Sequence, residues 1–368
     1  MATSIKNDKI FQEIAMTSLR LNSKFPLDKS QPIFMGIDVH KRTLSVSFMH
    51  QSVIVGQFSI PNDNLAIKGL LERYRDFQVF SVYEAGFSGF NLHFFLQSLG
   101  VKNIIISPNK LPTISGDRVK TDTKDSKKLA LFLQKNLLKS IDIPTKEELD
   151  KRQYLRTRTQ LVKKKVSVCN QIKLLLLQDN LPVPTTGLNN KTILEILSLD
   201  LSTGVRCSIK IQIDLYKFLC LKIKELEEQA LGSMSEADEK ILKLLQTAPG
   251  VGTVTGLTLL WEIRNWNRFK NKKQICAYVG LTPSEYSSGE HIKKGRITGQ
   301  GNSQIRSLLV EVSWILVRSD PAMEIVFKRL VANTGSKKKA IVGIARRLIQ
   351  RLHAMIIKNE PYQLGLIY

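Results

Sequence analysis

The sequence predicts a mixed α/β domain followed by a longer, mostly helical region. Three observations carry that expectation. Apolar and polar residues alternate with period two in Thr43-Leu-Ser-Val-Ser-Phe48, the mark of a half-buried strand. Strand-like and helical patterns then take turns up to about residue 140. Beyond Pro144, long Leu- and Lys-rich stretches lack both Pro and Gly, as long helices do.

The elements follow in order. Ile33 to Asp38 reads as a first strand, Thr43 to Phe48 as a second and Val53 to Ile60 as a third, with Gln51-Ser52 as a turn. A helix comes next, with Leu70, Leu71 and Tyr74 on one face. Then follow a strand at 79–83, a helix near 89–99, a strand at 102–107 and a helix from Asp122 to about Asn136. The order β-β-β-α-β-α-β-α is that of the ribonuclease H-like fold. The next 100 or so residues, 144–243, read as long helices near 146–178 and 207–231 with a shorter one at 192–199. Pro182 and Pro184 break the first from the rest, and an antiparallel helical hairpin or coiled coil is expected. The last segment, 244–368, is mostly helical, with helices at 253–263, 302–317 and about 338–357.

Four acids stand where this topology brings residues together. Asp38 ends the first strand and Glu84 follows the fourth. Asp122 and Asp125 open a helix and, at i and i+3, share one of its faces. Singly, each has a bland explanation: a helix cap, a solvated first turn, a surface acid at a strand end. Jointly they suggest a divalent-metal site for phosphoryl transfer, because two hard cations ~3.5–4 Å apart need three or four convergent carboxylates.

Composition points to a polyanionic partner. The chain of 368 residues carries 55 Lys+Arg against 32 Asp+Glu, a net charge of +23. Such an excess favours nucleic acid through counterion release. A hydrophobic content of 43% excludes global disorder. Gly36-Ile-Asp38 before a strand hairpin also opens actin-like kinases, but the glycine-rich phosphate loops those need are missing from residues 60–140, and no G-x-x-x-x-G-K-[ST] occurs. Cys169, Cys207, Cys220 and Cys276 have neither zinc spacing nor a disulfide pattern, and read as buried or half-buried thiols of a reduced compartment. No signal peptide or transmembrane run is legible, so a soluble intracellular protein is expected.

Two segments near the end carry candidate chemistry. Pro249-Gly-Val-Gly252 sits between helices and resembles a helix-hairpin-helix turn, where Gly250 and Gly252 would admit a phosphate to a helix N-terminus; a tight helix connection reads equally well. Residues 277–303 are dense in Gly, Ser and cations and should form an ordered loop or small hairpin at a functional surface. Within it Ser287 and Ser288 precede Gly289, with Lys293, Lys294 and Arg296 nearby. A serine there is a candidate nucleophile toward a phosphodiester, though Ser-Gly in a loop is more often a turn, and His291 alone does not make a catalytic pair. Arg156, Arg158 and Lys163 to Lys165 are phosphate-binding candidates or a solvated face. Lys337, Lys338, Lys339, Arg346, Arg347 and Arg351 are candidates for backbone phosphates.

Taken together, these motifs resemble the DEDD transposases of bacterial insertion sequences, the IS110 family, related to the Piv-type DNA invertases. The pieces are Gly36-Ile-Asp38-Val-His-Lys41, Tyr83-Glu84-Ala-Gly86, Ser107-Pro-Asn109, Lys120-Thr-Asp-Thr-Lys-Asp125, Pro249-Gly-Val-Gly252, Ala277 to Pro283, Ser287-Ser-Gly289 and Gly301-Asn-Ser-Gln-Ile-Arg306. The resemblance implies an extension over 1–32, a RuvC-like domain over 33–143, a coiled-coil dimerisation segment over 144–243 and a transposase domain over 244–368. It implies Mg²⁺ or Mn²⁺ on Asp38, Glu84, Asp122 and Asp125, and a nucleophilic serine at Ser288. It also implies donor and target DNA, a bridge RNA, a dimer or tetramer, and a place in the bacterial cytoplasm at the nucleoid. Lys120 and Arg306 join the nucleic-acid contacts on the same ground. Two rivals remain open here: a RuvC-like endonuclease or junction resolvase with no covalent step, and a non-enzymatic nucleic-acid-binding assembly protein.

Overall fold

Three strands follow one another from the first described residues. These are β1 (Ile33–Val39), β2 (Thr43–His50) and β3 (Val53–Pro61). A computed structural model of the chain describes residues 27–108, 111, 122–185, 187–288 and 291–365, with side chains at all of them except 122, 123, 286–288 and 291–294. Gln51 and Ser52 both adopt positive φ, 46° and 67°, the geometry a two-residue β2–β3 hairpin turn requires. Then come α1 (Asn64–Leu71), β4 (Val79–Glu84), α2 (Asn91–Ser98), β5 (Lys102–Ile106) and α3 (Asp122–Gln134). The sheet order is β3-β2-β1-β4-β5. β1, β2 and β3 are antiparallel neighbours, while β4 and β5 run parallel to β1. This is the ribonuclease H-like arrangement expected from the element order.

The two faces of β1 are used differently. Ile33, Met35 and Ile37 are buried among Ala66, Ile67 and Leu70 of α1 and Leu92 and Leu96 of α2. Gly36 and Asp38 face the other way, toward α3. A Cβ at Gly36 would collide with the Ser126 carbonyl oxygen and lie 2.5 Å from the Ala130 nitrogen. Only glycine lets α3 seat this closely on the sheet. Ser126 is buried in the seam, and its Oγ shares a 2.8 Å hydrogen bond with Ser47 Oγ of β2.

The chain divides into two compact units, one ending at Pro144 and one beginning at Thr145. The second opens with α4 (Lys146–Gln178), started by a capping box between Thr145 and Glu148. After α5 (Asn190–Ser198), α6 (Thr203–Gly232) returns along α4. The pairing is antiparallel: Ile172 and Leu176 of α4 pack with Ile209 and Ile213 at one end, and Arg158 pairs with Glu227 at the other. Then follow α7 (Glu236–Gln246), α8 (Thr253–Ile263) and α9 (Lys272–Tyr278). A hairpin of β6 (Pro283–Ser288) and β7 (His291–Ile297) leads to α10 (Ser303–Ser319), α11 (Pro321–Thr334) and α12 (Lys337–Lys358). One core joins Leu155 and Ala230 to α7–α12. No helix among the described residues is long and apolar enough to cross a membrane.

Some expectations need correction. Cys207 is exposed rather than half-buried, whereas Cys276 is buried. Two helices, α9 and α11, lie outside the sequence expectation. For α11 the signals were present: Asp320 caps it, Pro321 opens it and Gly335 closes it in the left-handed conformation.

Candidate functional site

The acids of the first unit gather at one end of the sheet. Gly36 pairs with Val82 and Ile37 with Tyr83 across β1 and β4. The next pair in that parallel register is Asp38 with Glu84. Both point to the α3 side, where Val82 meets Leu129 of α3 in the core. Near the other end of α3, Ser52 Oγ of the β2–β3 turn donates to Gln134 Oε1 at 3.2 Å. The C-terminus of α3 therefore lies at the start of β1, and its N-terminus lies at the end of β1, beside Asp38. Asp125 is one turn before Leu129, on the stripe that faces the sheet. Asp122 is the first residue of α3, and its side chain lies outside the described residues.

Asp38, Glu84 and Asp125 are all half-buried. Their oxygen donors suit a hard divalent cation. Among the described residues, no three His, Cys, Asp or Glu side chains are set close enough together to enclose one. The fit therefore rests on the donor type and the shared sheet end. One neighbour was missed by sequence reasoning: His40 Nε2 stands 3.2 Å from Asp38 Oδ2. The i, i+2 spacing at a strand end was the available signal.

In the second unit, Ser288 ends β6 and is opposite His291 of β7 in the hairpin register, with Ser287 opposite Ile292. The segment is thus a small hairpin, not an open loop. Its stem is tied down. Thr298 N–H donates to Thr282 O at 2.8 Å, and Ser284 Oγ donates to Arg296 O at 3.1 Å. Gly280 (φ 71°) and Gly301 (φ 102°) cross here, and a Cβ at Gly280 would collide with the Gln300 carbonyl. Beneath the stem, Glu262 is 3% exposed. Its carboxylate accepts two bonds from Arg156, at 2.7 and 2.9 Å, and one from Asn302 Nδ2 at 2.9 Å. Asn302 in turn caps α10, accepting from Gln304 and Ile305 N–H. Arg152 donates to the Trp261 and Glu262 carbonyls, and burial pulls its pKa down. The Glu262 hydrogen bond holds the pKa of Arg156 up.

Several expected phosphate contacts have other work. Arg156 and Arg158 are ion-paired to Glu262 and Glu227, Arg156 on an exposed face of α4 and Arg158 half-buried. Arg306 Nη1 donates to Val279 O at 3.1 Å, which fixes the end of α9. Arg351 is paired with buried Asp320 at 3.0 Å. Gly250 (φ 85°) faces protein, since a Cβ there would sit 2.9 Å from Ile315 Cβ. Gly252 has open space around it and precedes the first residue of α8. Lys337, Lys338, Lys339 and Arg296 are exposed, and Arg346 and Arg347 are half-buried. Lys120 lies outside the described residues, as do the side chains of Ser288, Lys293 and Lys294.

Comparison with known proteins bears on this pairing of an acidic sheet end with a serine hairpin. Residues 35–180 match the family model of the DEDD transposases of IS110, and residues 242–327 match the model described as Transposase IS116/IS110/IS902 family. This chain belongs to the IS110 family of transposases. A putative transposase, y4qE, of Sinorhizobium fredii is 28% identical over 68% of this chain and 61% of its own length, so the chain spans about three fifths of that relative. The transposase for insertion sequence element IS1533 of Leptospira borgpetersenii is 24% identical over 89% of this chain and 97% of its own length. The pilin gene-inverting protein of Moraxella bovis is 33% identical over 32% of this chain and 38% of its own length. Within the family match, Asp38, Glu84, Asp122 and Asp125 fall inside the first matched segment and Ser288 inside the second.

Proposed function

We propose that this transposase cleaves and rejoins DNA through a covalent phosphoserine at Ser288, with Asp38, Glu84, Asp122 and Asp125 as its metal-binding acids. The observation that carries the reading is the placement of Asp38, Glu84 and Asp125 at one sheet end, in a chain whose second family segment contains the Ser288 hairpin. The Ser288 Oγ attacks a backbone phosphorus and gives up its proton. An Oγ–P bond forms as the bond to the leaving strand oxygen breaks, and that oxygen departs as a hydroxyl. A second hydroxyl later reverses the exchange, so the phosphodiester energy is kept and no nucleotide triphosphate is needed. Mg²⁺ or Mn²⁺ bound by the acids would lower the serine's pKa and neutralise charge in the transition state.

The remaining features suit that chemistry. A net charge of +23 supports a bridge RNA beside donor and target DNA, with base pairing reading sequence and protein holding backbone. Gly252 and the start of α8 offer free N–H groups to a phosphate, as in a helix-hairpin-helix. Ile211, Leu215, Phe218 and Leu221 form one exposed stripe on α6, at 62%, 42%, 54% and 54% exposure. Ile211, Leu215 and Phe218 keep the four-three spacing of a coiled-coil seam and Leu221 departs from it by one residue; the apolar stripe supports self-association into a dimer or tetramer through the helical hairpin.

The test uses full-length protein with its own element DNA and co-expressed element RNA. Denaturing gels should show a protein–DNA adduct with Mg²⁺ that Ser288→Ala and Asp38→Ala both lose. Cleavage by the Ser288→Ala protein would leave the RuvC-like endonuclease instead.

A further inference from the structure

The groove between α12 and the residues that follow it takes no part in the chemistry above. It encloses about 230 Å³. Arg347, Arg351, Ala354 and Lys358 line it from one face of α12, spaced at three and four residues. Lys272, in the first turn of α9, lines it too, and Glu360 to Gln363 form the facing wall.

That wall is a built feature. α12 ends at Asn359, whose left-handed φ of 54° reverses the chain. Glu360 N–H then donates to Met355 O at 3.0 Å, and Tyr362 N–H donates to Thr247 Oγ1 at 2.9 Å. Tyr362 OH donates to Asp320 Oδ2 at 2.7 Å, and Gly365 N–H donates to Asp320 Oδ1 at 3.1 Å. Asp320 is fully buried and is also the cap of α11.

The lining has two chemistries. Asp320 neutralises Arg351, which leaves Lys272 and Lys358 beside the carboxylate of Glu360. Ala354, Met355 and the Tyr362 ring are apolar, and the Arg351 guanidinium lies 5.2 Å from the centre of that ring. Cations beside an apolar, aromatic surface suit an anion that carries a flat apolar body. The volume holds one such unit and excludes a duplex.

We propose that this groove binds one unpaired nucleotide of a nucleic-acid strand, its phosphate on Lys272 and Lys358 and its base against Met355 and Tyr362. The choice of a nucleotide rests on the reading of the chain as a nucleic-acid enzyme. The site itself is a binding site and needs neither Ser288 nor the acids. DNA and RNA share the chemistry, so both are tested.

The full-length protein is irradiated with hexamers of 4-thiothymidylate or 4-thiouridylate, and the cross-linked peptide is mapped by mass spectrometry. A cross-link within residues 347–363 is expected, from the deoxy hexamer if the strand is DNA and from the ribo hexamer if it is RNA. The double variant Lys272→Ala/Lys358→Ala changes only exposed side chains. It should lower hexamer affinity roughly tenfold and reduce the slope of log affinity against log salt by about 0.7 for each lysine removed. Cross-links that map only elsewhere, or an unchanged affinity and slope in the double variant, would overturn the proposal. The Ser288→Ala protein should cross-link as the parent does, so a failure of the cleavage chemistry would appear in the adduct assay and leave this map intact.

Discussion

The two units hold their candidate chemistry in opposite ways. In the first, the acids stand directly on the core. Asp38 is two residues from Gly36 and Glu84 two residues from Val82, and both of those pack against α3. Any error in the core is an error in the site. In the second, Ser288 ends β6 in a hairpin whose stem is tied by the Thr298–Thr282 and Ser284–Arg296 hydrogen bonds. There a buried polar network, centred on Glu262, replaces apolar packing. The comparison teaches where to expect coupling between stability and activity: tight in the α/β unit, and through a few hydrogen bonds in the helical one.

The contrast can be broken most forcefully at Glu262. Glu262→Ala strips the buried Arg152 and the exposed Arg156 of their carboxylate, and unfolding in urea should show the helical unit weakened by about 3–5 kcal/mol. The α/β unit should be unaffected in hydrogen exchange. Next comes Gly36→Ala, where the new methyl group meets backbone rather than a movable side chain. A loss of about 3 kcal/mol is expected, with faster exchange in α3 and β1, because overpacking against backbone cannot relax cheaply. A wild-type denaturation curve for this variant would mean that α3 does not seat on β1 as described.

A smaller effect concerns pH. Burial alone would raise the Asp320 carboxyl, but hydrogen bonds from Tyr362, Gly365, Ala322 and Arg351 outweigh it and hold its pKa below the ordinary 3.8. A carboxyl depressed in the folded state contributes fully above its unfolded value and loses that contribution as pH falls through its folded one. Urea midpoints of the helical unit between about pH 5 and pH 2 should therefore fall, and Asp320→Asn should flatten that part of the dependence. The smallest effect is at Ser126. Ser126→Ala leaves Ser47 Oγ with Gln57 as its donor, and should cost about 1 kcal/mol.

The sheet was legible because its strands alternate cleanly and its acids stand at strand ends, where side-chain direction follows from period two. The close seat of α3 was not, because a glycine in a strand says only that something approaches, not what. In the helical unit the long helices were legible from the absence of Pro and Gly. The network under the hairpin was not: Glu262 lies in an apolar helix, and its partners Arg156 and Asn302 are far from it in sequence. The same blindness hid the protein partners of Arg156, Arg158 and Arg306, since a cation that binds a carboxylate or a carbonyl looks in sequence like one that binds phosphate.

The central claim is that the acids and Ser288 perform one reaction. The most direct measurement is mass spectrometry of the DNA-linked peptide recovered from a Mg²⁺ reaction of the full-length protein with its element DNA and RNA. The account predicts a phosphodiester on Ser288, retained in Ser287→Ala and absent in both Ser288→Ala and Asp38→Ala. A linkage on Ser287, or cleavage that proceeds in Ser288→Ala with no adduct, would contradict it.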